Sequence, residues 1–185
     1  MRNEKVRMLC EGALCVALSI ALSYAELDLW FQGGSISVTM LPLVLFAIRW
    51  GAGWGVLAGL AFGTLKYFIG EGWVLNWISI IFDYSVAYAM VGLAGLFKRK
   101  PDKIVLATVV GGFARFMIHY ISGITVYAEW MPDVFWGIPM TSPFFYSALY
   151  NGGYMLPCTI LVAAACFALT KSAPVRKWLE GEGLQ

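Results

Sequence analysis

Ile78–Phe97, ISIIFDYSVAYAMVGLAGLF, runs for 20 residues with a single charged side chain, Asp83. Wound as a helix, it would rise about 30 Å, the thickness of a bilayer's hydrocarbon core, and few soluble folds have a place for such a segment. Similar apolar runs recur at about 8–25, 38–50, 53–70, 75–97, 104–127 and 142–170. The chain is 60% hydrophobic and 13% charged, with a mean hydropathy of +0.73, well outside the usage of soluble domains. These features predict an all-α membrane protein: a six-transmembrane-helix bundle in which residues 1–185 form one integral membrane domain.

Two details qualify the pattern. The second run, VTMLPLVLFAI, is short and has Pro42 near its start, so a half-crossing or a tilted helix is expected there. Met1–Arg7 is too brief, and the run after it too long, for a cleaved signal peptide, so the first run is expected to be the first helix of the mature protein. Cys10, Cys15, Cys158 and Cys166 lie in or beside apolar runs without C-x-x-C spacing. They are expected to be buried thiols, with no disulfide or metal role.

Basic residues set the orientation. Arg2, Lys5 and Arg7, then Arg49, then Lys98, Arg99, Lys100 and Lys103, and finally Lys171, Arg176 and Lys177 are 11 of the 13 basic residues, and six crossings put all of them on one side. Both termini are therefore expected to be cytoplasmic. The opposite loops have no lysine or arginine but carry Glu26, Asp28, Glu71, Glu129 and Asp133. An acidic outer face favours approach by a cation.

A carboxylate at the depth of Asp83 costs several kcal/mol, roughly 2.5 or more, unless a partner or a cationic ligand compensates it. Counted from the outer ends of their runs, Asp83, His119 and Asn151 each lie roughly 12 Å below the outer surface. Tyrosines accompany them: Tyr84 beside Asp83, Tyr120 and Tyr127 around His119, and Tyr146 and Tyr150 around Asn151. Carboxylate, imidazole, amide and ring faces at one depth suit a flat heteroaromatic cation. His119 could instead bond a neighbouring helix. Trp73, Trp77 and Trp136 read as an interfacial belt. Arg115, one turn below His119, could meet a ligand phosphate, although a structural pair with a carboxylate or backbone carbonyls is the preferred reading. Lys66 is expected to snorkel to the interface.

Gly12, Ala13, Ala17, Ala21 and Ala25 place small side chains at four-residue spacing on the first helix. Such a stripe serves close packing in lipid, either inside the bundle or against a separate membrane subunit. No G-x-x-x-x-G-K-[ST] loop, H-E-x-x-H or serine elbow is present, and no pair of matching halves with broken helices. An enzyme is not expected, nor a cofactor, nor nucleic acid as a partner; membrane lipid is.

GALCVALS on the first helix, GGSISVTMLPLVLFAIRWG, IIFDYSVAYAMVGLAGLF, RFMIHYISG and YSALYNG together resemble the thiamine-specific substrate-binding (S) component of energy-coupling factor (ECF) vitamin transporters, over nearly the full length. The resemblance implies a small six-helix protein of a bacterial plasma membrane. Such a protein holds thiamine near the outer face, then docks on an ECF module of one transmembrane coupling protein and two ATPases. It implies Asp83, Tyr84, His119, Tyr146 and Asn151 as polar ligand contacts and Ala13 with Ala17 as the docking pair. Asp83 would meet the aminopyrimidine or the thiazolium charge, Asn151 and Tyr146 the pyrimidine, His119 and Tyr84 the thiazolium side or its tail. Two positions depart from the family. The stacking tryptophan that follows H-x-x-x-G is Tyr127 here, with Trp130 and Trp136 nearby. Gly33 stands where the first outer loop has its tryptophan, with Trp30 and Phe31 close by as a lid. Another vitamin or a thiamine precursor as ligand, and a proton-coupled carrier using Asp83 and His119, are the alternatives.

Overall fold

The structure is a computed structural model that describes residues 2–29, 33–70 and 74–182. Trp30, Phe31, Glu71 and Trp73 lie outside the described residues, and with them the expected lid pair. The elements run α1 (Arg2–Ser23), β1 (Leu27–Asp28), β2 (Ser35–Ile36), α2 (Met40–Trp50) and α3 (Ala52–Phe68). A continuous rod, Trp77–Phe97, follows. It is built from α4 (Trp77–Ser79), a π-helical stretch (Ile80–Val86), α5 (Ala87–Val91) and a 3-10 stretch (Gly92–Phe97). Then come α6 (Ile104–Thr125), β3 (Val134–Phe135), β4 (Ile138–Pro139), α7 (Pro143–Leu169) and α8 (Ala173–Glu180).

Among the described residues, four helical stretches are long and apolar enough to cross a membrane: Asn3–Ser23, Trp77–Phe97, Pro101–Thr125 and Pro143–Leu169. α3, with 17 residues, is near the lower limit for a span. α2 has only 11 and rises about 16 Å. That shortness has a structural counterpart. α2 is buried along almost its whole length, from Met40 to Trp50, and touches α1, α3, the Trp77–Phe97 rod, α6, α7 and α8. It is the central post of the bundle, which is why the segment with Pro42 in its first turn can be apolar on every side except at Arg49.

The rod starts at a capping box. Asn76 accepts from the backbone N–H of Ile78 and Ser79 at 2.9 and 3.1 Å, while Ser79 Oγ accepts from Asn76 N–H at 3.2 Å. α3 lies against the rod at backbone distance. A Cβ built on Gly59 would stand 2.1 Å from the Tyr88 carbonyl oxygen, and one on Gly63 2.2 Å from that of Tyr84. Gly55, Gly59 and Gly63 recur every four residues, the spacing that lets helices in lipid approach most closely.

Two short hairpins and α8 lie beyond the predicted helices. In the first hairpin Leu27 faces Ile36 and Asp28 faces Ser35; in the second Val134 faces Pro139 and Phe135 faces Ile138. The second turns through Trp136 and Gly137, with φ of 53° and 74°, the left-handed pair of a two-residue type I′ turn. The expectation of four buried thiols is corrected at Cys10, which is exposed on α1, whereas Cys158 and Cys166 are buried.

Candidate ligand cavity

Asp83 and Tyr84 both stand in the π-helical stretch Ile80–Val86. Each π turn holds an extra residue, so neighbouring side chains diverge less than on an α-helix, and such widened turns occur often at functional sites. Both residues line one cavity of about 570 Å³, within the range that encloses small organic ligands. His119 of α6, Tyr146 and Asn151 of α7, Tyr127 and Trp130 line it too. Asp83, Tyr84, His119, Tyr127, Trp130, Tyr146 and Asn151 thus border the same space.

The polar network around Asp83 is specific. One carboxylate oxygen lies 3.0 Å from His119 Nδ1 and the other accepts from Ser122 Oγ at 2.9 Å. On the far side of the ring Arg115 Nε donates to His119 Nε2 at 3.3 Å. An arginine N–H can only donate, so Nε2 is the acceptor and Nδ1 carries the proton given to Asp83. The ring thus bridges Arg115 and Asp83, accepting from one and donating to the other.

Asn151 is tied down equally closely. Its Nδ2 donates to Ser147 O at 3.0 Å, Ser147 Oγ at 3.1 Å and His119 O at 3.3 Å, while its Oδ1 accepts from Tyr154 OH at 3.0 Å. The amide hydrogens are in use, and the carbonyl oxygen is the atom with acceptor capacity left. Gly123 completes this wall, because a Cβ there would stand 2.2 Å from Ser147 Oγ. Gly123→Ala should displace Ser147 and Asn151 and weaken ligand binding about tenfold, as read by titration of the purified variant.

Several readings need correction. Lys66 does not snorkel: it is 5% exposed and forms an ion pair with Glu26, which also accepts from Ser35 Oγ. Its stem starts near the end of α3 and turns into the cavity, where it meets the Glu26 carboxylate. Among the described residues Arg115 has neither a carboxylate nor a backbone carbonyl as a hydrogen-bond partner; it lines the cavity, bonds His119 and lies 4.0 Å over the Tyr88 ring. Tyr120 stacks on Phe116 at 6.0 Å, away from the cavity. Trp136 does not line it either, but stacks on Phe135, whose ring meets Tyr146 edge-on at 5.5 Å.

The sequence reading missed Glu26, Lys66, Tyr88, Ser147 and Tyr154, all cavity residues. Ser147 and Tyr154 stand four before and three after Asn151 on α7, so helical spacing from a known site residue was a usable signal. The first hairpin forms one wall of the cavity through Asp28, Gly33, Gly34 and Ser35. Tyr150 OH donates to Gly33 O at 2.8 Å, and Cys158 Sγ sits 3.3 Å from both Ser37 N and Ser35 O. These bonds fasten the hairpin to α7.

The chain is similar to known proteins in sequence and in fold. Thiamine transporter ThiT of Bacillus subtilis is 31% identical over 156 aligned positions, covering 77% of this chain and 78% of its own length. Thiamine transporter ThiT of Lacticaseibacillus paracasei is 28% identical over 189 positions, covering 94% and 91%. A solved structure of ThiT from Listeria monocytogenes shares the fold, with a TM-score of 0.81 at 24% identity over 94% of this chain and 98% of that one. The sequence model of the family described as thiamine transporter protein (Thia_YuaJ) matches residues 9–177. With nearly the whole chain matched, this membrane protein belongs to the thiamine transporter family.

Proposed function

We propose that this chain is the thiamine-binding S component of an ATP-driven ECF uptake transporter. It is a single integral membrane unit that crosses a bacterial plasma membrane six times, with both termini cytoplasmic. The observation that carries the reading is the cavity itself: a carboxylate that accepts from His119 and Ser122, in a space lined by tyrosines. A flat heteroaromatic cation gains from both, since the carboxylate offsets its charge and ring faces attract it. Asp83 meets the aminopyrimidine or the thiazolium. Asn151 Oδ1 accepts from the exocyclic amine, with Tyr146 beside it, and Tyr127 with Trp130 stacks on the rings. His119 and Tyr84 contact the thiazolium side or its hydroxyethyl tail. Calorimetry or tryptophan fluorescence with a vitamin panel tests this: saturable binding of thiamine in preference to other vitamins and to thiamine precursors is expected. Absence of a saturable thiamine response overturns it.

Coupling follows from the surface of α1. Ala13, Ala17 and Ala21 are exposed, whereas Met8, Val16, Ser19 and Ser23 face the bundle. The small-residue stripe is therefore free to receive the transmembrane coupling protein of an ECF module, whose two ATPases supply the work. Ala13→Trp with Ala17→Trp should lower ATP-driven thiamine uptake about tenfold or more while leaving the thiamine affinity unchanged. Uptake by the chain alone, driven by a pH gradient, would favour a proton-coupled carrier built on the Asp83–His119 pair.

A further inference from the structure

Midway along α1 lies a partly buried polar cluster that ligand binding does not use. Glu11 accepts from Arg49 Nε at 2.6 Å and Nη2 at 3.2 Å, from Trp50 Nε1 at 2.8 Å, from Arg7 Nε at 2.9 Å and from Trp178 Nε1 at 3.4 Å. Arg49 is completely buried. Its guanidinium also donates to the Trp178 carbonyl and lies 4.7 Å from the Trp178 ring and 5.3 Å from that of Trp50. The cluster joins three elements: α1 through Glu11, α2 through Arg49 and Trp50, and α8 through Trp178.

α8 is built as a strap. Leu179 is fully buried, Gly181 closes the helix at φ 94°, and exposed Arg176 bonds Asp102 at 2.7 Å in the turn before α6. α1, by contrast, is the least supported long helix. Its apolar contacts to the bundle form one narrow line, Met8, Gly12, Val16, Ser19 and Ser23, with Gly12 seated on the Phe46 ring. Glu11 stands beside that line and two positions before Ala13. It is about 18 Å along the helix from Ser23 at the cavity.

A buried arginine held by a carboxylate, a backbone carbonyl and two indole faces fixes geometry, because each partner lost would leave a charge unsolvated. We propose that the Glu11–Arg49–Trp178 anchor sets the angle of α1 and so presents its small-residue stripe, making α8 a positioning element for coupling and not for ligand capture. This rests on the docking reading given above.

The test uses the full chain, alone in detergent and reconstituted with an ECF module. Glu11→Gln combined with Arg49→Met removes both charges together, so neither is stranded; Trp178→Ala removes the strap's indole. Spin labels on exposed Leu14 and Val109 report the α1 to α6 distance. Expected are thiamine affinity within about threefold of the parent, ATP-driven uptake reduced about tenfold or more, and a broadened distance distribution. Trp178→Phe, which keeps the ring and the backbone carbonyl, should recover most of the uptake. Normal uptake in the folded, thiamine-binding variants overturns the proposal. So does parallel loss of binding and uptake, since that means the anchor supports the whole fold. Should Ala13→Trp with Ala17→Trp leave uptake intact, the docking reading itself fails and the anchor proposal with it. That result is read on the stripe variant and is distinct from failure of the anchor.

Discussion

Asp83→Asn should weaken thiamine binding by roughly 100-fold, about 3 kcal/mol, the scale of a buried charge-assisted contact. The side chain is nearly isosteric, so packing on the π-helical stretch is preserved. What changes is the role of each atom. The Asp83 carboxylate accepts from His119 Nδ1 and Ser122 Oγ, whereas an amide offers one acceptor and one donor, so one of these two donors faces an N–H. The negative charge offered to a cationic ligand is also gone. Calorimetry on the purified variant measures the loss, and a melting curve without ligand confirms the fold. An unchanged affinity would assign Asp83 to structure, with Arg115, joined to it through His119, as the counter-charge.

The second large effect lies in helix packing. Gly59→Ala should lower stability by about 3 kcal/mol or more and the melting temperature by roughly 10 °C, because its Cβ would stand 2.1 Å from the Tyr88 carbonyl oxygen and 3.0 Å from Ala89 Cα. Those are backbone atoms of the rod and cannot swing aside. α3 would have to back away from α5. Gly53→Ala is the matched control: nothing lies within 4 Å of its added Cβ, and the gain in helix propensity makes it neutral or stabilising by up to about 1 kcal/mol. Thermal unfolding of the two variants side by side separates steric exclusion from any general intolerance of α3 to substitution. Equal stability of both would mean that α3 and the rod are not packed this closely.

Apolar length and helical periodicity survive translation into three dimensions because they describe one segment at a time. The positions of α3, α6, α7 and the Trp77–Phe97 rod follow the hydropathic runs to within about two residues, whereas α1 begins at Arg2, well before its run at residue 8. That Asp83, His119 and Asn151 belong to one cavity was legible for the same reason, since each count runs along a single helix. Lys66 shows where that reasoning stops. Its sequence position is that of a snorkelling residue, and only the fold brings Glu26, 40 positions away, beside it.

By itself the sequence determined that this is a helical membrane protein, which of its residues carry charge into the apolar layer, and to which family it is related. Those properties are local or accumulate along the chain. Only the tertiary structure decided that the short α2 is a central post, that the first hairpin walls the cavity, that Arg115 bonds an imidazole, and that α8 grips α1 through Arg49. Each of these depends on contacts between residues far apart in sequence. The free energy of closing a buried polar network is set by which partners arrive together, and no single segment encodes that.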